Sequence, residues 1–183
     1  YLAIEKEMAK LGFEIDNSRR HFIEKLNKVL TEKNRYFPPI KLSLKDEPIE
    51  NKEAFFENLI NQRGHDLATG RTNFGPHTDD LHGSYLEKKI NTKYCSTGEQ
   101  KLSIISIILS NAKLIKEQKN VSPILLLDEI TAHLDEARKE SLFSELLSLE
   151  SQFFISGTEV GIFNSLSMEA KFLELDERKK YVA

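Results

Sequence analysis

Cysteine is nearly absent: Cys95 is the only one in 183 residues. One thiol builds neither a disulfide framework nor a thiolate metal cluster, so a reducing cytoplasm is the default compartment. No apolar run approaches the ~20 residues that cross a bilayer, and no charged-then-apolar leader opens the chain. No membrane partner is therefore expected. Charge of one sign is also lacking. Lys and Arg number 26 against 29 Asp and Glu, a net charge of −3, so no global field draws the chain to nucleic acid and any attraction has to come from a local patch. No internal repeat or low-complexity tract occurs. An initiating Met is missing as well. The chain starts at Tyr1 and enters a helical pattern at once, as the later part of a longer protein does.

What is present suits one domain, or one domain with an appendage: 39% apolar residues for a core and 30% charged residues for a solvated surface. Ile4, Met8, Leu11 and Ile15 follow the spacing of an apolar helical seam, and Phe22, Leu26 and Val29 resume it after Asn17-Ser18. That pattern predicts one long helix or two close ones before Pro38-Pro39, either packed on its own domain or, the slightly preferred reading, forming a helical arm that projects from a head. Arg19, Arg20, Lys25 and Lys28 read as a solvated face. Ile40, Leu42 and Leu44 alternate with Lys41 and Ser43, the pattern of a short half-exposed strand. Asn51 suits the N-cap of a helix carrying Phe55, Leu59 and Ile60, and Gly70 suits its end. His77, Asp79 and Asp80 lack a second cluster to complete a metal shell. They read instead as a strand entering a hairpin, with its turn at His82-Gly83-Ser84 and its return from Tyr85 to Tyr94.

After Cys95 the pattern changes to alternating helix and strand, an α/β layer around a mostly parallel sheet. A long helix with a wide apolar face (Leu102, Ile104, Ile105, Ile108, Leu109, Ala112, Ile115) runs from Glu99 to Lys116. Pro123 then opens the run Ile124–Leu127, which reads as a strand buried on both faces and ends in Asp128-Glu129. A helix from Asp135 to Leu149 follows, bearing Leu142, Leu146 and Leu147. A second strand lies in Gln152–Ser156, with Gly157-Thr158 at its end. A short helix at Ile162–Leu166 and a closing hairpin, Ala170–Leu175 with Lys180–Val182, complete the expectation.

Two stretches carry chemistry. Adjacent carboxylates at the carboxyl end of a parallel strand stand where open α/β sheets bind ligands. One can hold Mg²⁺ and the other can orient or deprotonate a water. The second stretch is Ser96-Thr97-Gly98-Glu99-Gln100, at the amino end of the long helix. Ser96 with Glu99 is a capping box, and the free N–H groups beside Gly98 also suit a phosphate. A helix of about 18 residues runs ~27 Å out and a strand of about six returns ~20 Å, so Ser96 and Glu129 are expected on one edge.

GPHTDDL, CSTGEQK, LLLDEITAHLDE and FISGT, in that order, resemble the C-terminal half of the RecF family, SMC-like members of the ABC-type ATPases. The resemblance implies an α/β fold: the C-terminal lobe of an ABC-type P-loop ATPase head over residues 70–183, with part of the helical arm, SMC-like domain II, over 1–69. It implies that Ser96, Thr97, Gly98, Glu99 and Gln100 form the signature motif that meets the γ-phosphate of ATP held by the opposite subunit. Asp128 would hold Mg²⁺ through water, and Glu129 would be the catalytic carboxylate. His133, Leu134 and Asp135 would be the D-loop at the dimer interface. Thr158 takes the switch position, where many ABC proteins have histidine. Thr78 stands where the family usually has a basic residue. The implied function is ATP-driven dimerisation with slow hydrolysis in recombinational DNA repair, replication and the SOS response. The implied partners are single-stranded/double-stranded DNA junctions, an ATP-dependent homodimer, and RecR- and RecO-like proteins.

No GxxxxGK[ST] occurs in the sequence, and the family keeps that loop upstream. The chain is therefore expected to act as an ATPase only when joined to a half that bears it. A non-catalytic interaction fragment is the alternative from another class. Another SMC-like head, of RecN type, is a further alternative, against which the short helical stretch argues.

Overall fold

Helix α1 (Leu2–Leu30) runs unbroken through Asn17-Ser18, but its buried face is not the expected one. The computed structural model describes residues 2–32, 37–132, 134–158, 160–166 and 169–175, and in it Ala9, Gly12, Asp16, Leu26 and Leu30 are the buried residues of this helix. Of the expected seam only Leu26 joins them. Ile4 is 65% exposed, and Met8, Leu11, Ile15 and Phe22 are between 39% and 47% exposed. The two stripes differ by one residue, about 100° around the helix. Small residues decide which one packs. A Cβ on Gly12 would lie 2.4 Å from Phe55 Cζ, so the backbone of α1 approaches α2 (Lys52–Thr69) more closely than a large side chain permits. The Arg63 guanidinium of α2 grips the Glu5 carboxylate with two nitrogens. That contact holds the Glu5 carboxyl below its ordinary pKa.

The chain divides into two units, Tyr1–Val121 and Ser122–Ala183. In the first, β1 (Ile40–Leu44), β2 (Leu81–Tyr85) and β3 (Ile90–Asn91) form an antiparallel sheet in that order, with Leu42 opposite Gly83. Strand β1 is an edge, and α1 covers it: Asn27 donates to Leu42 O and accepts from Leu42 N, each at 2.8 Å. One amide thus does for the edge what another strand would do. Arg19 and Arg20, expected on a solvated face, bind the carbonyls of Pro76 and Asp46. Helix α2 begins on Asn51, whose side chain accepts from Ala54 N, and ends on left-handed Gly70 at φ 68°, as expected.

The hairpin turn is displaced from the expected one. His82, Gly83 and Ser84 lie within β2, and the chain reverses after Tyr85. Gly83 is a strand residue because a Cβ there would come 2.8 Å from Thr92 Oγ1; close approach, not a turn, requires it. Thr92–Tyr94, expected as strand, form a 3-10 turn. The next helix, α3 (Thr97–Lys119), buries Leu102, Ile105, Leu109 and Ala112 but leaves Ile104 exposed.

In the second unit, β4 (Leu125–Leu127) pairs in parallel with β5 (Phe153–Ile155), and α4 (Glu136–Ser148) lies between them in sequence. Strand β4 is not buried on both faces. Leu125 and Leu127 are buried, while Leu126 and its partner Phe154 are 77% and 56% exposed on the other face. On α4, Leu142 and Leu146 are fully buried with Phe143; Leu147 is exposed, contrary to expectation. A 3-10 segment spans Val160–Leu166. Residues 170–175 form no strand, and the rest of the expected closing hairpin, Lys180–Val182, lies outside the described residues. No described helix is long and apolar enough to cross a membrane.

Candidate functional site

Strand β4 ends at Leu127, and the backbone then takes an unusual path. Glu129 adopts φ 44°, in the left-handed region, where a non-glycine residue costs about 1–3 kcal/mol and persists only when its surroundings hold it. One group that holds it is Ser156, the first residue past β5. Its hydroxyl accepts from Glu129 N at 2.9 Å and donates to Asp128 Oδ1. The Ser156 amide donates to Leu127 O at 3.0 Å, which continues the parallel ladder. Both carboxylates of the pair remain exposed. Their donor set suits Mg²⁺, a hard cation that takes one or two protein carboxylates and fills its octahedron with water and phosphate oxygens. No group of three or more His, Cys, Asp or Glu that could cage a metal exists among the described residues, and none is needed for that mode of binding.

Beyond the pair the chain turns through Ala132 N→Glu129 O at 3.2 Å and Leu134 N→Thr131 O at 3.1 Å. Leu134 is buried, 7% exposed. Asp135 is the N-cap of α4, accepting from Arg138 N at 2.9 Å and pairing with the Arg138 guanidinium. His133 lies outside the described residues. Thr158 is exposed, next to Gly157, whose missing side chain leaves room for Phe163.

The first unit carries the other candidate motif. Ser96 caps α3 in a complete capping box. Its N–H and hydroxyl donate to Glu99 Oε2 at 3.0 and 2.9 Å, and Glu99 N donates to Ser96 Oγ at 3.4 Å. The second carboxylate oxygen, Oε1, pairs with Lys88 from the β2–β3 turn. Gln100 ties the preceding turn down through Lys93 O and Cys95 O, each at 3.2 Å. Thr97 and Gly98 are exposed, and a Cβ on Gly98 would meet nothing within 4 Å. Internal packing does not demand that glycine, so its bare backbone is open to an outside group. Cys95 is buried.

Lys88 sets the electrostatics of this helix end. Its ammonium, then the Ser96 N–H and hydroxyl, hold the Glu99 carboxyl at about 2, down from the ordinary 4.5, against the opposing effect of burial. A carboxyl depressed on folding stabilises the fold above its unfolded pKa and loses that effect as the pH falls through the folded one. The capping box is therefore expected to weaken between pH 4.5 and about 2. A carboxyl-detected NMR titration should place the Glu99 midpoint near the lower figure, and Lys88→Gln should move it upward; an unmoved midpoint in that variant would mean that Lys88 does not set it.

The two motifs lie in separate units. His77, Asp79 and Asp80 do structural work. His77 Nε2 meets Thr72 O at 2.9 Å, while Asp79 Oδ1 accepts from the amides of Lys45, Asp46 and Asp80 at 2.8–3.1 Å. A cavity of about 500 Å³ between α1 and α2 is lined by none of the sequence-predicted site residues. Sequence reasoning missed Ser156 and Lys88. A signal for Ser156 existed: a hydroxyl residue one past a strand, parallel to the strand that ends in Asp128.

No family model matches the chain. The DNA replication and repair protein RecF of Allorhizobium ampelinum is 38% identical over 95% of this chain and 49% of its own length. RecF of Mesorhizobium japonicum is 38% identical over the same shares. The chain thus spans about half the length of the curated relatives it matches. Among solved structures, the recombination mediator protein RecF–ATP of the RecFOR pathway superposes with a TM-score of 0.67 at 22% identity, over 85% of this chain and 46% of that chain. This likeness shows the fold, a mixed α/β lobe shared with that structure. Over 95% of its length the chain is similar to the C-terminal half of proteins named RecF.

Proposed function

We propose that the chain is the signature and Walker B half of a RecF-like, ATP-dependent DNA-binding protein of recombinational repair and replication-gap processing. The observation that carries this reading is the exposed Asp128–Glu129 pair at the carboxyl end of a parallel strand, with Glu129 held in a left-handed backbone. In this reading residues 1–69 are part of the arm and 70–183 the ATPase lobe. Asp128 holds the cation's water shell, and Glu129 accepts a proton from the attacking water or orients it. Bound Mg²⁺ supplies charge neutralisation on the phosphate oxygens. Ser96, Thr97, Gly98, Glu99 and Gln100 form the half-site that a second subunit's ATP meets: backbone N–H groups face the γ-phosphate and Lys88 neutralises the Glu99 carboxylate beside it. His133, Leu134 and Asp135 belong to the subunit interface, and Thr158 to the switch position. DNA junctions, a second copy, and RecO- and RecR-like proteins in the cytoplasm are the partners. Relatives named RecF favour this over a RecN-type head.

The primary nucleotide cradle is not among the 183 residues, which contain no GxxxxGK[ST]. The isolated chain should therefore show no micromolar affinity for ATP in calorimetry. Fused behind a half that bears a GxxxxGK[ST], it should dimerise in sedimentation experiments when ATP is added and bind gapped DNA. Micromolar ATP binding by the isolated chain would sink the half-site reading; a fused protein that stays monomeric with ATP would sink the dimer.

A further inference from the structure

We propose that Ser156 is the positioning residue of the Asp128–Glu129 pair: one hydroxyl fixes the carboxylate of the first and the backbone of the second. This rests on the reading of that pair given above and extends it to a residue on another strand. A serine hydroxyl has one proton to give and lone pairs to accept with. Here the proton goes to Asp128 Oδ1, and a lone pair takes the Glu129 N–H at 2.9 Å. The partners are 28 and 27 residues distant in sequence, so the contact exists only once β4 and β5 have paired. The register that sets Leu127 beside Ile155 brings residue 156 next to 128, and the Ser156 N–H bond to Leu127 O anchors it there. The sheet therefore fixes where the hydroxyl sits before any ligand arrives.

Two consequences follow for the acidic pair. With Oδ1 of Asp128 engaged, its carboxylate cannot turn freely, and Oδ2 is the oxygen left for a hydrated cation. With its N–H anchored, Glu129 stays at φ 44°, a conformation that a glutamate rarely keeps unaided. Without the hydroxyl, Asp128 loses a donor and Glu129 loses this acceptor. The backbone can then relax out of the left-handed region and carry the carboxylate away from the water it serves.

The test uses the complete ATPase, in which this chain stands behind a GxxxxGK[ST] half. Ser156→Ala should lower kcat for ATP by about 10–100-fold, the range for removing a partner that orients a metal-site ligand. KM for ATP should stay within about twofold, since the group acts on the transition state and not on nucleotide binding. The Mg²⁺ concentration for half-maximal rate should rise. Ser156→Thr retains the hydroxyl and should restore most of the rate. A merely structural residue would lower the melting temperature without this split between kcat and KM. A Ser156→Ala enzyme within twofold of the parent kcat, or a Thr variant as slow as the Ala one, would overturn the proposal. Glu129→Gln, run alongside, separates the two claims. If it still turns over at the parent rate, the acidic-pair reading falls and takes the proposal with it. If it is inactive while Ser156→Ala is unimpaired, only the proposal falls.

Discussion

Glu129→Gln should abolish steady-state ATP hydrolysis by the complete protein and leave ATP-driven dimerisation intact. The two side chains have nearly the same shape, and both can accept a hydrogen bond from water. Only the carboxylate can take the proton, and losing general-base assistance costs about 10²–10⁴-fold in rate. The backbone makes this substitution unusually clean. Residue 129 sits at φ 44°, and glutamine tolerates that region no better and no worse than glutamate, so the swap changes the chemistry and not the strain. The Glu129 N–H still reaches Ser156 Oγ, because that bond is a main-chain one. If hydrolysis is what ends the dimer's life, the variant should accumulate as dimer in the presence of ATP. Single-turnover phosphate release and sedimentation, run on the same sample, test both halves of the expectation. Hydrolysis within threefold of the parent rate would remove Glu129 from its role. Loss of the dimer together with the hydrolysis would make the residue structural.

Local chemistry was legible in the sequence. Asn51 and Gly70 bound α2 as their capping preferences require, and Ser96 with Glu99 forms the capping box that their spacing announces. Each of these depends on groups within a turn or two of one another. The parallel pairing of β4 with β5 was legible from the alternation of apolar runs and helices. What the sequence hid is non-local. Gly83 resembles a turn residue until Thr92 is seen lying against it. Leu126 and Phe154 look like core because they sit in apolar runs, yet together they form an uncovered face of a two-stranded sheet. Ser156 is one hydroxyl among many until the sheet register sets it beside Asp128.

The candidate site divides along the same line. Ser96 and Glu99 are arranged by their own helix, and a sequence motif captures them. Asp128 and Glu129 are adjacent in sequence, but the feature that distinguishes them from any acidic pair at a strand end is the left-handed backbone at 129 and the hydroxyl that holds it. Lys88 reaches Glu99 because the hairpin turns four residues later than the glycine suggests. A motif locates the residues. The charge balance at the helix end and the geometry of the acidic pair come from strands that the motif does not include.

Helix α1 gives the sharpest test of that distinction. In this chain Gly12→Leu should destabilise the α1–α2 contact by about 3 kcal/mol or more, the upper range for overpacking a filled site. Replacing a mid-helix glycine gains about 1 kcal/mol of propensity, so the sign depends on whether Phe55 can retreat. It cannot do so cheaply. Phe55 is 2% exposed and packs on Phe74 with ring centroids 4.9 Å apart, and even the first added carbon would lie 2.4 Å from its Cζ. Leu11→Ala, one residue earlier, should change stability by no more than about 0.5 kcal/mol, because Leu11 is 47% exposed. The apolar stripe read from the sequence demands the reverse. If Ile4, Met8, Leu11 and Ile15 formed the packed seam, Leu11→Ala would cost about 2–5 kcal/mol and Gly12→Leu would be tolerated. Native-state hydrogen exchange of the α1 and α2 amides reads this contact without requiring the two units to unfold together. Phe55→Leu in the Gly12→Leu background should recover part of the loss, since the two residues share one space and their effects do not add. A strictly additive pair, or a Leu11→Ala chain less protected than the Gly12→Leu one, would mean that α1 packs through its large side chains after all.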